Sequence, residues 1–320
     1  MAATAAGPAC AAFLRQRRQP GTVARMLALL ALSVVLAACT AFKLGYENLP
    51  RLVEWQVDRY LSLDNAQEEL VTRHAKALQR WHRQSLLPVY ADFLRRVDQE
   101  LRNPVSAAQV SEWRQTVVNG WLPLAEQLAP AVAEVALTLR PEQLAHMRTA
   151  LAKANEKAAA EYRPADPEKR QEARYKRLVD RAESFLGDLN DAQKKVMKES
   201  AASMARSEDD WWQARLARQK AIVDLLTELS TGRPPLAEAA RRARLVLVGL
   251  FSELDPRAAG ESPPAESGDR RALRMKVKEA SAAGDELAAR VIALATPEQR
   301  RHLVKRLDGY RQDFHLLAAR

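Results

Sequence analysis

The sequence predicts an all-α protein, built as two related multi-helix units in a tandem duplication packed as helical bundles. Three observations carry this. Gly supplies only 11 of 320 residues while Ala, Leu, Arg, Glu and Gln abound, a composition weighted to helix formers. Apolar residues recur at helical spacing behind cap signals, and strand-type alternation of Val, Ile, Thr and aromatics is hard to find anywhere. The second half also replays cap and helix patterns of the first.

Residues 1–38 read as a lipoprotein signal peptide. Arg15, Arg17, Arg18 and Arg25 form a basic leader, Met26 to Val35 an apolar run, and Leu36, Ala37 and Ala38 the signal peptidase recognition sequence before Cys39. Cys39 is then the lipidation site and the first residue of the mature chain. A membrane span needs about 20 apolar residues, and the run from Met26 to Cys39 is shorter. Gln19-Pro20-Gly21 follow Arg17-Arg18 where twin-arginine signals carry a Phe-Leu pattern, which argues against that route. Each buried methylene of an acyl chain contributes roughly 0.8 kcal/mol, and stable anchoring takes more than one chain. The implied partner is therefore a membrane, held through acyl chains on Cys39. Residues 39–50 read as a lipidated tether, reaching about 35 Å when fully extended. The chain has two cysteines, Cys10 in the leader and Cys39 at the cut, so the mature protein keeps no thiol for a disulfide, a nucleophile or a metal.

Residues 51–165 form the expected first unit. A short helix runs over Leu49 to Leu61, and Asp64 with Gln67 makes a capping box for a longer one carrying Leu70, His74, Ala77, Leu78 and Trp81 on its apolar face. Pro88 should kink or end that helix, because it lacks a backbone donor. Helical spacing resumes over Asp92 to Leu101 and stops at Asn103-Pro104. Ser106 to Leu122 is predicted as one helix broken at Pro123, Leu124 to Leu139 as the next around Pro130, and Pro141 to Tyr162 as a clean stripe. Arg163-Pro164-Ala165-Asp166-Pro167 is the best linker candidate.

The second unit spans 166–320. Leu189-Asn190-Asp191-Ala192-Gln193 repeats the earlier cap, Leu245 to Phe251 aligns with Thr116 to Leu122, and Ala295-Thr296-Pro297-Glu298-Gln299 matches Leu139-Arg140-Pro141-Glu142-Gln143. His146, Met147 and Leu151 then fall opposite His302, Leu303 and Leu307. The Gly, Pro and Ser-rich stretch 255–270 reads as a flexible insert and accounts for the growth of the offset from about 126 to about 156 residues. The period is too long for a solenoid.

Of the formal net charge of +10, the leader's four arginines account for +4, leaving +6 on residues 39–320. The basic residues are scattered among acids and export removes nucleic acid from the partners, so a solvated basic surface is the reading, with attraction to anionic lipid headgroups or lipopolysaccharide nearby as the alternative. The five histidines, His74, His82, His146, His302 and His315, include no pair four apart, and no His-Glu-x-x-His occurs. His74 reads as a hydrogen-bonded core residue. Nucleophile elbows, phosphate-cradling glycine loops and dinucleotide fingerprints are absent from the sequence, so no catalytic, cofactor or metal residue is assigned. Trp55, Trp81, Trp113, Trp121 and Trp212 are expected in the core. Trp211 and Trp212 cannot both lie on one helix face, so one of them should meet a second helix layer or a partner.

Cys39, Gly45-Tyr46-Glu47-Asn48-Leu49, the Trp55 to Tyr60 helix, Trp81-His82-Arg83 and Leu87-Pro88-Val89-Tyr90 resemble an uncharacterised proteobacterial lipoprotein family, a domain of unknown function. The resemblance spans most of the mature chain and implies an envelope lipoprotein without a known activity. Thr40 after Cys39 implies, by the sorting rule of similar lipoproteins, the outer membrane facing the periplasm. A weaker similarity is to the periplasmic chaperones Spy and CpxP, whose Leu-Thr-x-x-Gln motifs look like Leu189 to Gln193 and Ala295 to Gln299, although Thr survives only once. The expectation is a non-enzymatic, lipid-anchored envelope lipoprotein with a structural or partner-binding role. Trp81, His82, Arg83, Tyr90, Trp211 and Trp212 are its candidate interaction surface, and an envelope protein its expected partner. Chaperone-like binding of unfolded envelope proteins, and an envelope hydrolase with an unrecognised carboxylate or His site, stand as alternatives.

Overall fold

A computed structural model describes residues 42–204, 207–250 and 268–320. Leu36, Ala37, Ala38 and Cys39 lie outside the described residues, as does most of the insert 255–270. The compact unit containing the helices runs from Gly45 to Arg320. Among the described residues it is entirely helical, with no strand: α1 Leu49–Leu61, α2 Asn65–Ser85, α3 Leu87–Glu100, α4 Ala107–Asn119, α5 Trp121–Thr138, α6 Pro141–Tyr162, α7 Pro167–Leu186, α8 Asp191–Ser203, α9 Ser207–Gly232, α10 Leu236–Gly249, α11 Gly268–Ala293 and α12 Pro297–Ala318. No single described helix is long and apolar enough to cross a membrane.

The starts of these helices follow from their sequences. Asp64, Ser106, Asn190 and Thr296 each accept from the backbone N–H three residues on, while Gln67, Gln109, Gln193 and Gln299 accept from the cap's own N–H. Each box satisfies two backbone donors that a helix start leaves without partners. Proline occupies the first turn of α1, α3, α6, α7 and α12, where its missing donor costs nothing. Pro88 accordingly separates α2 from α3 after Ser85.

One predicted break moves. The helix expected from Ser106 to Leu122 ends at Asn119, and the chain turns at Gly120 rather than Pro123. Pro123 falls in the first turn of α5, a position it tolerates, whereas Gly120 has the Tyr90 ring 3.5 Å from where a Cβ would stand. Pro130 stays inside α5 on its exposed side, so the carbonyl it leaves unbonded can meet water. Residues 45–50, assigned from sequence to the tether, belong to the compact unit: Pro50 is buried and the Tyr46 hydroxyl lies 2.8 Å from His82 Nδ1. Trp55, expected in the core, is exposed, with the Arg59 guanidinium 5.8 Å from its ring.

The packing follows a regular scheme. α1 rests on α2 and α6, and α7 on α8 and α12; α2 lies against α5, and α8 against α11. Contacts also cross the break at Arg163–Asp166, since α5 lies along α10, α4 along α11, α3 along α12 and α6 beside α9. The α5 to α10 seam uses small side chains: Ala125, Ala129, Ala133 and Ala136 form a buried stripe facing a core that includes Ala239 and Ala243. Small residues in register let two helix axes approach closely. Leu225, Leu226 and Leu229 of α9 and Leu144 and Met147 of α6 complete this core. A second core joins Leu186, Leu189 and Met197 to Leu287 and Val291, and a third joins Val97 and Leu101 to Leu307.

Two buried amide pairs tie the helix starts together. Gln67 and Gln143 each donate to the other's side-chain oxygen, at 3.2 and 2.7 Å, and Gln143 also donates to Ser62 O. Gln299 donates to Gln193 Oε1 at 2.9 Å and to Asp188 O at 2.7 Å. Between α4 and α11, Arg114 grips Asp285 with Nε and Nη2 at 3.0 Å each, and Asp285 is only 5% exposed.

Candidate functional site

The residues singled out from sequence separate into two places. Tyr46, His82, Tyr90 and Phe314 form a series of edge-on and tilted rings with centroids 5.6 to 6.0 Å apart. The Arg83 guanidinium sits 5.5 Å from the Tyr46 ring, and Trp81 is half-buried on the same helix, α2. Burial lowers the His82 pKa and raises those of Tyr46 and Tyr90, so all three are held neutral. This cluster joins the start of the compact unit to α2, α3 and α12, a joint more than a recess.

Trp211 and Trp212 lie elsewhere, in a recess of about 390 Å³. Three helices build it, each through one helical face. α6 brings Ala158 and Tyr162 with Arg163 just beyond; α7 brings Arg174 and Arg177; α9 brings Glu208, Trp211, Trp212, Arg215 and Arg218. The question of the adjacent tryptophans resolves here: Trp212 is half-buried between two guanidinium groups, Arg163 at 5.3 Å and Arg215 at 5.9 Å from its ring centre, while Trp211 lines the recess and is 42% exposed. Arg177 lies 5.0 Å from the Tyr162 ring.

The recess holds more positive than negative charge. Glu208 pairs with the buried Arg174 at 2.5 Å and stands 3.6 Å from Arg177, and Arg174 also donates to Ala201 O. Arg163 pairs with Asp209, yet its Nε is buried without a hydrogen-bond partner. Arg215 donates to the neutral side chain of Asn155 at 3.1 Å. Arg218 has no ion pair among the described residues, and burial together with the neighbouring Arg215 charge lowers its pKa. The Trp212 ring and the Asn155 amide therefore position Arg215 without neutralising it, and Arg218 lines the recess with no ion pair among the described residues, which leaves their donors for an anion.

None of the five arginines was singled out from sequence. Their signal was present: Glu208, Trp211, Trp212, Arg215 and Arg218 recur at three- and four-residue spacing along α9. What sequence alone lacked was that Arg174 and Arg177, thirty or more residues earlier, face the same space.

A wider cleft of about 950 Å³ lies between the α3–α4 connection and α12. Leu101, Val105 and Val304 give it an apolar floor, and Arg102, Arg301 and Lys305 a basic rim. Its charges are mostly engaged locally, Arg301 with Glu298 and Asp308 with Arg311. Among the described residues no three His, Cys, Asp or Glu side chains gather as a metal site. His74 is half-buried and 2.8 Å from Glu134, and His146 Nε2 lies 3.2 Å from Arg59 O.

A family model described as a family of unknown function (DUF6279) matches residues 59–242. That span contains every residue lining the arginine and tryptophan recess, while Tyr46 and Phe314 of the ring series fall outside it. No curated protein and no solved structure matches the chain.

Proposed function

We propose, for a chain that belongs to the family of unknown function DUF6279 and takes no activity from that membership, a lipid-anchored envelope protein that works by binding rather than catalysis, its partner engaged at the arginine and tryptophan recess. The observation that carries this reading is that Arg215, held by the Trp212 ring and the Asn155 amide, and Arg218 line the recess with no carboxylate partner among the described residues. The leader and Cys39 support the anchor, and Thr40 the outer membrane facing the periplasm. The compact unit begins at Gly45, so only residues 40–44 separate it from Cys39. A partner would then be met close to the bilayer surface.

The test is a photo-crosslinking amino acid introduced in place of Trp211 in intact cells, compared with one in place of Val117, an exposed residue on α4. A discrete adduct at 211, missing at 117 and lost when Arg215→Gln is added, is expected. Equal adducts at both positions, or turnover of an envelope substrate abolished by one His or acidic substitution, would overturn the reading. The apolar floor of the wider cleft favours a second reading, chaperone-like binding of unfolded envelope proteins. Failure to suppress aggregation of any client at stoichiometric amounts would remove it.

A tandem duplication is also proposed. It is supported by the paired glutamines and by the order of packing, in which each contact of α1 with α2 and α6 has a counterpart in α7 with α8 and α12.

A further inference from the structure

We infer that the recess is a receptor for a phosphoryl group, seated between Arg215 and Arg218, and with the remainder of the ligand lying along Trp211. The inference rests on the binding reading above and names its chemistry.

Charge comes first. Glu208 answers Arg174 and Arg177 together, and Asp209 answers Arg163, so the arginines exceed the carboxylates around the recess. Arg215 and Arg218, three residues apart on one face of α9, have no carboxylate among the described residues. Two like charges side by side in a half-buried recess repel, and a dianion between them converts that repulsion into attraction on both sides.

Geometry then separates phosphoryl from carboxylate. A carboxylate offers two oxygens in one plane and is satisfied by one guanidinium fork, as Asp285 is by Arg114. A phosphoryl group offers three oxygens directed apart and carries up to two charges, which suits guanidinium groups arriving from α9 and from the end of α6. Trp211, 42% exposed at the rim, offers a ring face to whatever bears the phosphate.

Calorimetric titration of the full-length chain in detergent micelles tests this, with inorganic phosphate, phenyl phosphate, dihexanoyl phosphatidic acid, and benzoate as the carboxylate comparison. Phosphate and phenyl phosphate should compete for one site, with phenyl phosphate the tighter, and benzoate at least tenfold weaker. Arg218→Gln and Arg215→Gln should each weaken phosphate at least tenfold, Arg218→Lys less, and Arg95→Gln on the exposed face of α3 not at all. Because Arg218 has no ion pair to lose, its variants should melt with the parent; should either fail to fold, Trp211→Ala, expected to abolish the preference for phenyl phosphate over phosphate, replaces it. Phosphatidic acid binding as tightly as phenyl phosphate would identify a lipid headgroup as the source, and its exclusion a soluble phosphate; both support the site. Benzoate binding as well as phosphate, or phosphate affinity unchanged in Arg218→Gln, would overturn it. Persistence of the adduct at 211 without phosphate binding would remove the phosphoryl assignment alone, leaving the partner-binding reading in force.

Discussion

Gln67 and Gln143, 76 residues apart, face each other as a reciprocal amide pair while each also accepts from the backbone N–H at the start of its own helix. One side chain thus satisfies a helix start and cross-links it to another. Both are almost wholly buried, so neither amide has water as a fallback.

Gln143→Leu should therefore cost about 2–3 kcal/mol, since Arg140 N–H loses its acceptor, Ser62 O its donor, and Gln67 a partner. In thermal unfolding this is a drop of roughly 3–5 °C for a unit of this size. Gln299→Leu should behave alike through Asp188 O and Gln193. A change confined to surface-mutant size would show the amides to be dispensable.

Arg114 and Asp285 hold α4 to α11 through a bidentate contact with the carboxylate almost fully buried. Asp285→Ala strands the guanidinium and should destabilise by about 3 kcal/mol in denaturant unfolding. Adding Arg114→Met should restore part of the loss. That recovery distinguishes a stranded charge from a mere cavity.

His82 carries a pH signature. Burial lowers its pKa in the folded state, so below the ordinary imidazole value the unfolded chain takes up a proton that the folded chain refuses. Stability contributed by this site is present above about pH 6.5 and is lost as pH falls toward the folded pKa, with a slope of at most about 1.4 kcal/mol per unit. His82→Gln, which keeps an acceptor near the Tyr46 hydroxyl, should flatten the difference between pH 7.5 and pH 5 in denaturant titrations.

For the anchor, Cys39→Ser should abolish incorporation of a labelled fatty acid and move the protein out of the membrane pellet. Labelling that persists in the variant would sink the lipidation site.

Helix starts were legible in the sequence because caps are local: Asp64 with Gln67 and Thr296 with Gln299 need only three residues of context. The turn at Gly120 was not, because Pro123 is the louder breaker in sequence and is harmless in a first turn. Trp55 was misread for a related reason, since periodicity tells which face a residue is on but not whether that face is covered. Of the recess, Trp211 and Trp212 were visible as an anomaly, two large rings that could not share a face. Its arginines shared the α9 spacing of the tryptophans but not a legible role, because a guanidinium stacked on a ring and one in water look the same in a string of letters.

The lengthwise meeting of α5 with α10 and of α3 with α12 has a consequence for any attempt to dissect the molecule. A protease nick at the Arg163–Asp166 turn would sever the backbone without releasing either half, because each clasps helices belonging to the other. Made as separate fragments, the halves would each display a bare alanine or leucine seam and be soluble only after mutual complementation.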